Sequence, residues 1–123
     1  MVVVAKLKRL SSTDTPHLEI YQPEGPFGLH VLAMVGPAAG PGEESFGFTV
    51  CTPEWFAENM KADFVPGRHY LFVKEYDYEA LKKFVGNYCS RCMGESWPEV
   101  AQKVAQLGHW EFENYTPYSG PHP

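Results

Sequence analysis

Between residues 43 and 51 the chain alternates: Phe46, Phe48 and Val50 share one parity, while Ser45, Gly47 and Thr49 share the other. A period of two predicts a strand with one buried face. Just upstream, residues 27–35 are apolar on both parities, with Phe27, Leu29, Val31, Ala33 and Val35 on one and Leu32 and Met34 on the other. That is the pattern of a central strand covered on both faces. The Gly- and Pro-rich stretch 36–42 joins the two as an antiparallel hairpin. Residues 2–10, rich in valine, predict an earlier strand. Residues 11–26, which carry Pro16, Pro23 and Pro26, predict a loop.

The period then lengthens. Thr52 as cap, Pro53 at the first helical position and Glu54 beside the positive end of the dipole open a helix whose buried side is Trp55, Phe56 and Met60. Pro66-Gly67 is a turn, and residues 69–75 form a strand around Tyr70-Leu71-Phe72-Val73. Asp77 caps a second helix with Tyr78, Leu81, Val85, Tyr88, Cys89 and Cys92 along one stripe. Gly86 weakens that helix by about 1 kcal/mol relative to alanine and marks a close packing point; Gly94 ends it. Ser96 with Glu99 forms a capping box, the glutamate reaching back to the serine's own N–H. Trp97, Val100, Ala101, Val104 and Ala105 follow at helical spacing, and Gly108 is the expected left-handed stop. Period two then returns through Tyr115, with Trp110 and Phe112 on one side and His109, Glu111 and Glu113 on the other.

The order β-β-β-α-β-α-α-β predicts an α+β fold, a mostly antiparallel sheet of about five strands with helices packed on it. Residues 1–115 form one domain and residues 116–123 a Pro/Gly-rich tail. Trp55, Trp97, Trp110 and Phe112 are assigned to the core.

With 123 residues, 15% of them aromatic, the chain can bury a real core. The net charge of −5 is unevenly spread. No lysine or arginine lies between Arg9 and Lys61, a window holding Asp14, Glu19, Glu24, Glu43, Glu44, Glu54 and Glu58. Phosphate binding needs clustered cations, so direct nucleic-acid binding is disfavoured. An acidic surface instead attracts a basic partner. No apolar run approaches the roughly 20 residues of a membrane span. The apolar start precedes its charges, unlike a secretory signal, and three cysteines do not make a disulfide framework. The expected location is the cytoplasm.

Candidate chemistry is sparse. Cys89-Ser90-Arg91-Cys92 is a C-x-x-C, but it lies near a helix C-terminus and has no second pair to complete a zinc site. The 36–42 turn lacks the lysine of a phosphate cradle. His109, Glu111 and Glu113 on one strand face, with His69, could mimic a metal-assisted enzyme; solvated polar positions explain them as simply. A domain binding a ligand in its aromatic interior is a further alternative. No catalytic, cofactor-binding or metal-binding residue is assigned, and no cofactor is expected.

Three stretches carry a family resemblance: Glu43-Glu44-Ser45-Phe46 running into Val50-Cys51-Thr52-Pro53-Glu54-Trp55; Gly67-Arg68-His69 with Val73-Lys74-Glu75-Tyr76-Asp77; and Ser96-Trp97-Pro98-Glu99-Val100 leading to Gly108-His109-Trp110-Glu111-Phe112-Glu113-Asn114-Tyr115. In order and spacing the chain resembles the immunity protein 8 family of bacterial polymorphic toxin systems. Asn114 departs from the aspartate expected there. The resemblance implies a cytoplasmic antidote that binds a cognate toxin domain, with no enzyme activity and no cofactor. Many such toxins act on nucleic acid, so a basic nuclease-like domain is a candidate partner. Charge and predicted strand faces, rather than the resemblance, nominate the contact residues Glu43, Glu44, Glu75, Asp77, Glu111 and Glu113. An unpaired edge strand would leave a homodimer open.

Overall fold

The alternating residues form the centre of the sheet. In the structure, a computed structural model that describes residues 1–113, β1 (Val3–Ser12), β2 (Gly28–Pro37) and β3 (Glu44–Cys51) pair antiparallel in succession. Asn114, Tyr115 and the tail 116–123 lie outside the described residues. Leu29 faces Val50, Val31 faces Phe48 and Ala33 faces Phe46, and all six side chains are buried. The register continues one pair further, to Val35 opposite Glu44. A carboxylate therefore ends the apolar row of β3.

The remaining elements are α1 (Pro53–Asn59), β4 (Tyr70–Phe72), α2 (Tyr78–Ser90), β5 (Met93–Gly94), α3 (Trp97–Val104) and β6 (His109–Trp110). The sheet order is β4-β3-β2-β1-β5, with β6 also on β3. β3 thus has three neighbours. β2 takes one edge, while the other is shared by β4 along Thr49–Cys51 and β6 along Phe46–Gly47. The fold is α+β with a mixed, mostly antiparallel sheet, as the pattern predicts.

Helices α2 and α3 pack against β1 on one face, around Ala5, Val31, Val35, Phe46, Val85, Val100 and Val104. α1 lies on the opposite face, where the Trp55 indole occupies the space a side chain at Gly28 would need, within 2.2 Å of its Cβ position. Leu32 and Met34 are half-buried there, short of the two-sided burial their pattern suggests.

The caps agree with the sequence. Thr52 Oγ1 accepts from Trp55 N, Asp77 from Ala80 N and Ser96 from Glu99 N.

Several expectations are corrected. β4 is three residues long and runs parallel to β3, because α1 and the loop after it make the crossover that a parallel pair requires. β1 continues to Ser12, and the loop behind it holds a 3-10 turn, Leu18–Ile20, that buries Leu18. The second helix ends at Ser90, and Gly94 belongs to β5, paired with Val3. The capping box is displaced by one residue: Glu99 Oε2 accepts from Glu95 N at 2.9 Å. Space is open at Gly86, where an added side chain would meet nothing within 4 Å. Gly108 is not a left-handed stop; among described residues only Gly25 and Gly42 are glycines with positive φ. It is small because a Cβ there would come within 3.0 Å of the Phe48 ring and 3.1 Å of the Phe46 backbone. Finally, the last strand stops at Trp110 and turns, with Glu113 N donating to Trp110 O at 2.8 Å. Phe112 is consequently 39% exposed rather than core.

Candidate functional site

Glu44 is the residue on which the site is built. Its parity aims it at the helix-covered face, where α3 begins with Trp97 and β6 brings Trp110 beside Phe46. Trp110 stacks on Phe46 with the ring planes 8° apart. An indole N–H only donates, so two half-buried tryptophans need acceptors. One carboxylate oxygen serves both: Glu44 Oε1 accepts from Trp97 Nε1 at 2.7 Å and from Trp110 Nε1 at 2.9 Å. Trp97 and Trp110 flank the core rather than fill it.

The turn after β6 is tied down from both sides. Glu111 N donates to Ser45 O at 3.1 Å, and Ser45 N donates to Glu111 Oε1 at 2.7 Å. Arg68 grips both oxygens of Glu113 with two N–H donors, each at 2.9 Å. Arg68 is placed by the loop that enters β4, where His69 adopts a left-handed φ of 69°. The His69 ring Nε2 lies 2.9 Å from the carbonyl of Ala105, the residue that caps α3. Since the partner is a carbonyl, Nε2 carries the proton and donates.

These contacts enclose a groove of about 760 Å³. Glu44, Trp97, Trp110, Phe112 and the Arg68–Glu113 pair line it, and Gln102 and Gln106 of the α3 segment add amides.

Of the six carboxylates nominated from sequence, four gather around this end of β3. Glu44 and Glu113 line the groove, Glu111 braces Ser45 beside it, and Glu43 pairs with Arg9 at 2.8 Å. Glu75 and Asp77 lie elsewhere, on a smaller cavity of about 390 Å³ between β4 and α2. Asp77 is engaged in its cap. Glu75 is exposed and has no hydrogen-bond or ion-pair partner among the described residues.

Of the residues nominated for a metal-assisted enzyme, His69 and His109 come together, with ring centroids 5.8 Å apart. Glu111 and Glu113 are engaged by Ser45 and Arg68, and among the described residues no group of three His, Cys, Asp or Glu side chains could hold a metal ion. Cys51, Cys89 and Cys92 are free and buried. Burial, with Cys92 adding to it, pushes the Cys89 thiol up to about 12, the opposite of an activated thiolate. Among the described residues no helix is long and apolar enough to cross a membrane.

Sequence reasoning missed the double indole clamp and the Arg68–Glu113 grip. The parity running from Val50 back through Phe46 to Glu44 was the one available signal for the first. Arg68 and Glu113 stand far apart in sequence and carried no signal.

The family model for Immunity protein 8 matches residues 5–115 of the 123. The chain belongs to the immunity protein 8 family. Membership makes it an immunity protein, with a toxin protein as its partner, and speaks for a non-enzyme. No curated protein and no solved structure matches the chain. The matched interval contains Glu44, Arg68, Trp97, Trp110 and Glu113, so the groove lies within it.

Proposed function

We propose that the protein is a cytoplasmic antidote that neutralises a cognate antibacterial toxin domain by binding it, without catalysis. The family match carries this reading. The three unpaired thiols suit a reducing compartment. The net charge of −5 supports a basic toxin partner, such as a nuclease-like domain, because opposite charge speeds encounter and disfavours wrong partners. The same charge opposes direct binding to nucleic acid.

The reading predicts a toxin C-terminal domain encoded by the neighbouring gene, and co-expression with that domain tests it. Growth is expected to recover, and the two chains are expected to elute as a one-to-one complex. Continued killing despite soluble antidote would overturn it. Association should slow as salt rises; a rate constant equal at low and high ionic strength would remove the electrostatic part alone.

A further inference from the structure

The Glu44 carboxylate is held unusually for a groove residue. Both indole donors bind Oε1. Among the described residues Oε2 has no hydrogen-bond partner, and it is not fully buried. A half-buried carboxylate is thereby fixed in orientation with one oxygen free. The rings of Trp97 and Trp110, whose polar N–H groups are already used on Oε1, also line the groove. The other charges in the groove, Arg68 and Glu113, cancel in a two-bond pair. Among the described residues that line the groove, the charge left unmatched is that of Glu44.

We propose that this groove is a subsite for an arginine side chain presented by the toxin partner, an inference that rests on the toxin-binding reading. A guanidinium is planar and weakly hydrated. It can stack on an indole face while donating N–H to Oε2, and its net charge complements the unmatched carboxylate. Because the two tryptophans already orient the acceptor, little ordering is left to oppose binding. Lysine, a compact and strongly hydrated point charge, matches the flat walls less well.

The test is an NMR titration of the full chain, ¹⁵N-labelled, following the indole N–H signals of Trp55, Trp97 and Trp110. The probe is N-acetyl-arginine methylamide. The Trp97 and Trp110 signals are expected to shift and saturate with an affinity on the order of millimolar, while Trp55, on the opposite face of the sheet, stays in place. The citrulline analogue, of equal shape without the charge, should bind at least about tenfold more weakly. Glu44→Gln keeps an oxygen for both indoles but removes the charge, and should weaken arginine binding by about tenfold. Should that variant misfold, the citrulline comparison on the unaltered protein still decides. Silent Trp97 and Trp110 signals, equal effects of citrulline, or equal effects of the lysine or glutamate analogues would each overturn the proposal. The titration contains no toxin, so its failure leaves growth rescue standing, and failed rescue leaves the titration to be read independently.

Discussion

The two ends of β3 handle carboxylates in opposite ways. At its start, Glu43, Glu44, Glu111 and Glu113 are each bonded to another part of the chain, by Arg9, two indoles, the Ser45 amide and Arg68. At its end, beyond Val50, the cavity between β4 and α2 is walled by apolar groups, with Phe72 46% and Phe84 50% exposed. There Glu75 has no partner among the described residues, and Asp77 is spent on a helix cap. An acidic residue near a cavity can thus be a structural acceptor, a cap or a free charge. The difference follows from which donors the fold brings to it, and composition alone does not distinguish them.

Truncating the two sorts of carboxylate should separate them most sharply. Glu44→Ala strips the partner from two half-buried indole donors and should cost about 2 kcal/mol in urea unfolding, whereas Glu75→Ala should stay within about 0.5 kcal/mol. Equal costs would erase the contrast between the two ends.

Within the β4–α2 corner, Asp77→Ala removes the α2 cap and should cost about 1 kcal/mol by the same measurement, placing a capping acid between the other two. An unchanged urea midpoint would show that α2 is held by packing alone.

The last effect is absent at neutral pH and confined to alkaline pH. The Tyr76 hydroxyl donates to the Leu18 carbonyl. Burial, then Tyr78, Glu19 and Tyr21, push this phenol from an ordinary value of 10 up to about 12. A folded-state value raised above the unfolded one stabilises fully below pH 10 and is lost as pH rises toward 12. Tyr76→Phe should therefore show a shallower stability loss between those pH values than the unaltered protein. Parallel pH profiles would mean that Tyr76 keeps its proton equally well when unfolded.

Legibility in the sequence followed the range of the interaction. Thr52, Asp77 and Ser96 were readable as caps because each acts on a backbone N–H three residues away or nearer. The β2–β3 hairpin was readable because alternation and its turn act within a short span. The final segment misled. Trp110-x-Phe112 alternates like a strand, yet only Trp110 finds a pairing partner, since β3 offers that edge at Phe46 and Gly47 and the next residues turn away. Gly108 resembled a helix stop but is demanded by the Phe46–Phe48 stretch of β3, more than fifty residues earlier in the chain. The parallel pairing of β4 was likewise invisible, because parallel and antiparallel strands share one hydrophobic alternation.

What the sequence by itself determined was the α+β layer arrangement, the three helix starts, the buried face of β3 and the family resemblance. These rest on local periodicity and on residue types acting over a few positions. Tertiary structure alone decided which acids are free. It brought Trp97 from a helix start and Trp110 from a short strand onto one oxygen of Glu44, and Arg68 from a loop onto Glu113. A carboxylate accepts from whichever donor arrives, and the arrival depends on packing between segments that carry no information about each other in sequence.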